Sequence, residues 1–234
     1  MRKILALAIA LLLVVLMVAA CGAKSTTPQQ RIDGCKKRFL TGLSNPGSDS
    51  SVSGSPEAKT TAQTLCSDAE DEGILNSSGD ASEADVHALL VKQPQVLVPL
   101  CEAGFRSGIG SSASAVEKYL PPGGLNALAS QFCGNLGPYI NGSGFDKEAL
   151  FKDRGRAVIV PICVAAAIAG VAGDPSYPFS QADSTKLFTR VCGEAWDKGY
   201  VKTDGSTDST AVRALAAKIT HEMINSGQVT VRQN

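Results

Sequence analysis

The seven cysteines are the residues whose type and spacing point most clearly to chemistry. Six stand at positions 35, 66, 101, 133, 163 and 192, and the seventh is Cys21. Thiols at such long intervals form disulfides in an oxidising compartment. A structural zinc site or a thioredoxin-type redox pair requires short Cys-x-x-Cys spacings, which the sequence lacks. An odd number in an exported chain leaves one cysteine for another purpose.

A repeated pattern surrounds the six later cysteines. Five of them are followed seven residues later by glycine and then usually by an apolar residue, as in Cys101 and Gly108. Cys133 departs from the pattern, and Thr220 with Gly227 forms a last copy without cysteine. The intervals between signature positions are 31, 35, 32, 30, 29 and 28 residues. Periods of this size are typical of helical repeat proteins.

The residues next to each cysteine predict a helix. Apolar side chains recur four and one residues before the signature position and often three after it, as Ile159, Ile162 and Ala166 do around Cys163. This spacing places the cysteine within the buried stripe of a helix. The glycine at the seventh position is then expected to take the left-handed conformation that ends a helix. The sequence therefore predicts an all-α fold, an irregular helical-repeat array of about seven units of ~31 residues stapled by disulfides.

A longer rhythm favours one disulfide pairing. The segments 96–101 and 158–163 match each other 62 residues apart, which suggests units of two repeats. Sequential pairing within those units gives Cys35–Cys66, Cys101–Cys133 and Cys163–Cys192. Each bridge would stabilise the fold by about 3–4 kcal/mol in the chain-entropy model. Six cysteines allow 15 connectivities, so the other pairings stay open.

Further helices are expected from capping residues and apolar periodicity over 29–43, 82–91, 114–120, 146–151, 181–198 and 209–226. The Ser- and Gly-rich segment 45–56 is expected to be a mobile loop. The uncharged segment 157–172 is short for a membrane span and contains Pro161, which favours a central buried helix. The prolines leave the alternative that 96–98 and 158–160 are short buried strands.

The N-terminus carries an export signal. Arg2 and Lys3 precede the unbroken apolar run Ile4 to Leu16. The Val18-Ala19-Ala20-Cys21 segment that follows resembles the lipobox of bacterial lipoproteins. This resemblance covers residues 1–21 and implies that the signal is cut before Cys21 and that this cysteine carries lipid. An ordinary secretory signal and an N-terminal membrane helix are the alternatives.

This interpretation divides the chain into a signal peptide (1–20), a lipidated tether (21–30) and an α-helical repeat domain (31–234). Two or three acyl chains, at about 0.8 kcal/mol for each buried CH₂, would hold the protein on a bilayer. The expected location is the extracytoplasmic face of a bacterial cell membrane.

Charge and motifs give little support for catalysis. Lys plus Arg and Asp plus Glu both number 22, so nothing favours nucleic-acid binding. His221-Glu222 begins like a zinc-protease helix, but Asn225 stands where the second histidine ligand is needed. The acidic cluster 68–72 is expected to be a solvated helix face. Trp196 and Tyr200 could stack on a sugar, although a core and a capping role are favoured. No catalytic, cofactor-binding or metal-binding residue is predicted.

The sequence thus favours a non-enzymatic binding or structural lipoprotein, because helical arrays expose long surfaces to other macromolecules. Its partner is expected to be an envelope protein or a cell-wall component. One alternative is a carrier or sensor of a lipid-like ligand, which requires an apolar pocket of a few hundred Å³. A second is a cell-wall hydrolase with an unrecognised carboxylate site, for which Glu102, Glu148 and Glu194 are the candidates.

Overall fold

The computed structural model describes residues 26–44, 50–110, 113–141, 144–202 and 206–232, and most of them are helical. The helices in these ranges are α1 (Pro28–Leu43), α2 (Ser50–Ser53), α3 (Pro56–Asp71), α4 (Glu83–Lys92), α5 (Val98–Ile109), α6 (Ala113–Glu117), α7 (Gly124–Cys133), α8 (Lys147–Val171), α9 (Gln181–Asp197) and α10 (Ser209–Asn225). Short 3₁₀ turns span Pro94–Leu97 and Gly137–Tyr139, and β1 (Ile140–Asn141) pairs antiparallel with β2 (Gly144–Phe145). The all-α prediction is confirmed. The predicted signal peptide, Cys21 and the first half of the tether lie outside the described residues.

Local sequence explains where several helices begin. Thr27 caps α1 by accepting from the backbone N–H of Gln30, whose side chain accepts in return from the backbone of Thr27. Ser55, Ser82 and Ser180 each accept from the backbone N–H three residues further on, at the starts of α3, α4 and α9. These side chains satisfy amide donors that have no partner inside the helix, so each start is determined locally.

Each signature position of the repeat lies on a different helix. Cys35 is on α1, and the remaining signature positions follow in order on α3, α5, α7, α8, α9 and α10. Cys66 and Cys133 are fully buried and Cys192 is nearly so. The inward placement expected from the apolar spacing therefore holds for these three sulfurs.

The glycines at the seventh position divide into two groups. Gly73, Gly199 and Gly227 have φ of +71°, +68° and +70° and end their helices as predicted. At the end of α9, for example, the N–H of Tyr200 donates to the carbonyl of Ala195 at 2.9 Å. The other three, Gly42, Gly108 and Gly170, are each the penultimate residue of their helix and do not take the left-handed conformation, so the helix stops within one residue of the glycine but not by the predicted cap.

Helix α8 differs most from the expected elements. A short helix was predicted over 146–151, but the structure continues without a break from Lys147 to Val171. Pro161 lies inside it and has no N–H to donate to the carbonyl oxygen of Ala157. Because Ala157 is exposed, water can bond to that oxygen instead. The alternative of short strands at 96–98 and 158–160 was wrong, because both segments are helical.

Among the described helices, α8 alone is long and apolar enough to cross a bilayer, judged by length and composition only. In its most apolar window 39% of the residues are buried inside the protein. The core helices of soluble proteins meet the same two criteria.

The expected mobile loop over 45–56 is only partly described. Residues 45–49 lie outside the described ranges. Ser50–Ser53 is a turn of helix, Val52 is buried, and Pro56 already begins α3. The prediction of a loop was wrong for residues 50–53. Their Ser-rich composition suggested a loop, but burial of the Val52 side chain holds this turn of helix in the core.

Contacts divide the chain into two compact units. The first unit contains the described residues up to Ile109 together with those between Cys133 and Ala149. In it α1 packs on α3, and α3 packs on α5. The facing side of α3 carries the small buried residues Ala58, Ala62 and Ala69, which let the neighbouring helices approach closely.

The second unit contains Gly110–Phe132 and the chain from Leu150 onward. Its central feature is the packing of α9 against α10. Apolar side chains at helical spacing on both helices form a shared core. Phe179, just before α9, and Val229, just after α10, complete it. The buried members of this core are Phe179, Leu187, Val191, Ala195, Leu215, Ile219, Met223 and Val229. A smaller cluster joins Cys192 to Val164 and Ile168 of α8.

Candidate functional site

Three disulfides join the six later cysteines. They are Cys35–Cys66, Cys101–Cys133 and Cys163–Cys192, with Cα–Cα distances of 5.8, 5.7 and 6.0 Å. These are the sequential pairs expected from the two-repeat unit, and their Cα distances lie within the usual range for a disulfide. Each bridge joins two different helices. Their chemical role is to fix pairs of helices, and none of the six sulfurs is a free thiol.

The histidines do not form a metal site. His221 lies beside Asn225, whose side-chain nitrogen is 3.2 Å from His221 Nδ1, so the second zinc ligand is missing as the sequence indicated. His87 Nε2 contacts the backbone oxygen of Asn141 in the first unit. Among the described residues, no group of three or more His, Cys, Asp or Glu side chains could hold a metal ion.

The candidate carboxylates of a hydrolase site are dispersed. Glu102 lies 3.7 Å from Arg106 in the first unit, and Glu194 lies 2.9 Å from Arg190 in the second. Glu148 is exposed in the first turn of α8. Two of the three candidates are therefore ion-paired on helix surfaces.

The acidic cluster at the end of α3 is partly neutralised. Glu70 accepts two hydrogen bonds from Arg31, and Glu72 lies 2.6 Å from Lys92. Hydrogen bonding from Arg31 holds the pKa of the Glu70 carboxyl below its ordinary value. Two carboxylates of the cluster, Glu70 and Glu72, therefore form ion pairs with basic side chains. Such pairs are more typical of the expected helix face than of a cation-binding site.

The aromatic pair singled out in the sequence does not form a ligand platform. The indole of Trp196 packs against the ring of Phe151, with centroids 5.0 Å apart. Tyr200 follows the helix-ending glycine and packs on the core shared by α9 and α10. Trp196 therefore has the favoured core role, and Tyr200 has the favoured capping role.

A pocket of about 230 Å³ lies entirely within the second unit and brings together residues that the sequence did not connect. Its wall combines the end of α8, the turn that follows, the start of α9 and the C-terminal segment. Ile168, Val171 and Phe179 supply apolar surface, while Tyr119 and Tyr177 supply aromatic rings. We define this feature as the tyrosine pocket.

The C-terminal segment is attached to the start of α9 at successive points. The side chain of Val229 is buried in the core, and the backbone N–H of Arg232 donates to the carbonyl of Pro178 at 2.7 Å. Between them, the backbone of Thr230 hydrogen-bonds the carboxylate of Asp183. These attachments place Arg232 in the wall of the tyrosine pocket.

The carboxylate of Asp183 joins the start of α9 to the C-terminal segment by hydrogen bonds. It accepts from Ser180 Oγ at 3.0 Å and from Lys186 Nζ at 3.2 Å. The hydrogen bond from Ser180, with smaller contributions from Lys186 and Thr230, holds the pKa of Asp183 below its ordinary value. The charged form of this carboxylate therefore supports both the helix cap and the C-terminal segment.

Four polar side chains line the tyrosine pocket without a hydrogen-bond or ion-pair partner in the described part of the protein; Tyr119 and Tyr177 are half-buried, and Gln181 and Arg232 are exposed to solvent. The phenol oxygens of Tyr119 and Tyr177, the amide of Gln181 and the guanidinium of Arg232 make no hydrogen bond or ion pair there. Asp174 also lines the pocket and accepts at Oδ1 from the N–H and Oγ of Ser176, at 2.8 and 2.6 Å. These hydrogen bonds hold the pKa of Asp174 below its ordinary value, so it is a carboxylate at neutral pH.

A second, more open groove of about 780 Å³ lies nearby, along α9 and the end of α10. Its cations are already engaged, Lys186 with Asp183 and Arg190 with Glu194 and Glu222. Since its charged groups are satisfied within the protein, this groove offers fewer groups to a ligand than the tyrosine pocket does.

Comparison of the chain with protein-family models, with curated proteins and with solved structures found no match. The interpretation of the site therefore depends on its own geometry.

The tyrosine pocket was missed by sequence reasoning because its residues are far apart in the chain. The segment 174–179 carried one usable signal, since Asp174 and Ser176 have the spacing of a turn in which the carboxylate accepts from the backbone two residues on. Nothing in the sequence linked that turn to Tyr119 or to Arg232.

Proposed function

We propose that this protein is a lipid-anchored lipoprotein of the bacterial envelope, which exposes a disulfide-stapled helical body on the extracytoplasmic side and acts by binding rather than by catalysis. The single observation that supports it best is the distribution of the cysteines. Six are paired in disulfides, which leaves Cys21 as the one cysteine whose thiol is available for lipid. Disulfides of this kind are formed outside the cytoplasm, where the export signal would direct the chain.

Binding is supported by the character of the tyrosine pocket. A concave site with apolar walls and several unpartnered polar groups is the usual form of a small-ligand site. The candidate carboxylates give less support to hydrolysis, because Glu102 and Glu194 are each paired with an arginine.

The carrier of a lipid-like ligand is a second candidate with weaker support. Ile168, Val171 and Phe179 do line a pocket, as that function requires. The same wall contains Asp174 and Arg232, however, and charged groups are costly to bury against an acyl chain.

Intact-mass spectrometry of the protein purified from a bacterial host tests the proposal. The expected mass corresponds to a chain beginning at an acylated Cys21, and reduction should add the hydrogens of three disulfides. Membrane fractionation provides the second measurement. The paired variant Cys35→Ala/Cys66→Ala should stay in the membrane fraction. Cys21→Ala should carry no lipid in its intact mass, whether or not its uncut apolar signal keeps it in the membrane. An unmodified Cys21 in the mature wild-type protein would contradict the anchor.

A further inference from the structure

We propose that the tyrosine pocket binds a single sugar residue, either a free monosaccharide or the accessible end of an envelope glycan. The inference rests on the proposed function in that it assigns a ligand class to an extracytoplasmic binding protein. It uses only groups of the second unit.

The size of the pocket restricts the ligand. Its volume of about 230 Å³ is smaller than the roughly 300–1,000 Å³ of pockets for drug-sized molecules. At about 30 Å³ of liquid volume for each water, it corresponds to about eight water molecules. One sugar ring with its hydroxyls suits this space, whereas a long acyl chain does not.

The unpartnered groups suit a ligand rich in hydroxyls. The phenols of Tyr119 and Tyr177 and the amide of Gln181 can each donate and accept hydrogen bonds, as alcohols do. Arg232 adds a fork of donors, and Oδ2 of Asp174 can accept, since only Oδ1 is used by Ser176. A polyhydroxylated ring can satisfy donors and acceptors of both kinds at once.

The charges of the wall favour a neutral ligand. Arg232 and Asp174 contribute one positive and one negative charge, and they are the charged residues of the lining. An anionic or cationic ligand would leave one of these groups facing a like charge. A neutral sugar accepts from the first and donates to the second.

Aromatic rings provide the remaining feature. Tyr177 lies in a group of rings with Phe179 and Phe188, at centroid distances of 5.7 and 6.5 Å, so its orientation is held by packing. A fixed aromatic ring next to hydrogen-bonding groups offers both an apolar body and a polar tip to a ligand. Sugars present the matching combination of C–H faces and hydroxyl edges.

A free amino acid is the competing ligand, because its carboxylate and ammonium groups could face Arg232 and Asp174. It leaves the phenols of Tyr119 and Tyr177 and the amide of Gln181 with little to bind. The sugar uses all of these groups, and we therefore prefer it.

The test uses the full-length protein in detergent and ligand-observed NMR followed by calorimetric titration. The free-sugar probes are glucose, galactose, mannose, arabinose and N-acetylglucosamine, and the glycan probe is a set of soluble cell-wall oligosaccharides. Glycine, alanine and glutamate represent amino acids. The variants are Tyr119→Phe/Tyr177→Phe, which removes two hydroxyls and keeps both rings, and Arg232→Ala. Tyr200→Phe is the matched control, since it removes a phenol outside the pocket.

At least one sugar probe is expected to bind, and each pocket variant should weaken that binding tenfold or more while Tyr200→Phe changes it less than twofold. Binding of free sugars identifies the monosaccharide source, and binding of oligosaccharides alone identifies a glycan end. Absence of any sugar binding, preference for amino acids, or equal affinity in the pocket variants would overturn the inference. Masses measured on the same sample separate the two proposals: an acylated, fully disulfide-bonded protein that ignores sugars refutes only the ligand assignment.

Discussion

The indole ring of Trp196 lies across the backbone of Gly155, and no space for a β-carbon remains between them. A β-carbon at Gly155 would stand less than 3.0 Å from Cη2 of Trp196, 3.0 Å from its Cζ2 and 3.3 Å from Cδ1 of Phe151. The missing side chain at position 155 therefore lets the tryptophan of α9 pack onto α8. Two features that looked separate in the sequence, a glycine inside a helix and a lone tryptophan, form one contact.

We expect Gly155→Ala to lower the free energy of unfolding by about 1–3 kcal/mol, because the indole must move from its packed position. Alanine favours a helix by about 1 kcal/mol over glycine, so the steric conflict is larger than the net loss by about that amount. Gly170→Ala is the matched control in the same helix, where an added β-carbon meets nothing within 4 Å. That variant should gain about 0.5–1 kcal/mol. Urea unfolding followed by Trp196 fluorescence measures both, and equal shifts in the two variants would contradict the packing.

Gly79 makes a similar contact with backbone instead of a side chain. Its φ is +81°, and an added β-carbon would lie less than 3.0 Å from the carbonyl oxygen of Arg31 and 3.0 Å from the nitrogen of Cys35. Gly73 has a φ of +71° and open space around it. Both Gly→Ala variants should lose about 1–2 kcal/mol from the left-handed conformation. Gly79→Ala should lose more, because helix backbone cannot rotate away as a side chain can. Chemical unfolding curves that give equal losses would show that the loop does not rest on α1.

The three disulfides should contribute similarly to stability. Their sequence separations are 31, 32 and 29 residues, so the chain-entropy model assigns each about 3–4 kcal/mol. Each paired Cys→Ala variant can be compared with the others by urea unfolding under non-reducing conditions. Reduced wild-type protein serves as the control and should be the least stable sample. A pair whose removal costs nothing would show that its helices are held together by packing alone.

The attachment of the C-terminal segment should depend on pH through Asp183. Its pKa is lowered from the ordinary value of 3.8. A carboxyl of this kind stabilises the fold at pH values above its unfolded pKa, and that contribution is lost as the pH falls through the lower folded pKa. When the pH is lowered from about 6 to values below the unfolded pKa of 3.8, we therefore expect faster hydrogen exchange at Thr230, after correction for intrinsic rates. Asp183→Asn is the control and should show exchange that no longer responds to pH in this window. Sugar binding to the tyrosine pocket should weaken over the same range, since Arg232 belongs to this segment.

Much of the helical structure could be predicted from the sequence because its causes are local. The helices predicted over 181–198 and 209–226 are observed as Gln181–Asp197 and Ser209–Asn225. Capping residues and apolar period act within a few residues, so they can be read directly. The longer repeat favoured the observed disulfide pairs and left the other connectivities open.

Prediction failed where long-range packing competes with a local signal. The predicted short helix over 146–151 and the predicted buried helix over 157–172 form one continuous helix, α8, from Lys147 to Val171. The buried stripe of α8 runs through the junction of the two predicted segments, with Phe151, Gly155 and Val158 buried, and favours continuing the helix there. Burial of such side chains at about 25 cal/mol for each Å² outweighs one weak helix residue.

The sequence by itself determined the helical class and the positions of the cysteines on helices, and it favoured the observed disulfide pairs, since these depend on period, caps and repeat. It also supplied the proposed anchor at Cys21. Only the tertiary structure decided that Tyr119, Tyr177 and Arg232 share one pocket and that Trp196 rests on Gly155. The physical reason is that such contacts depend on the path of three separate segments in space, and no local pattern records where those segments meet.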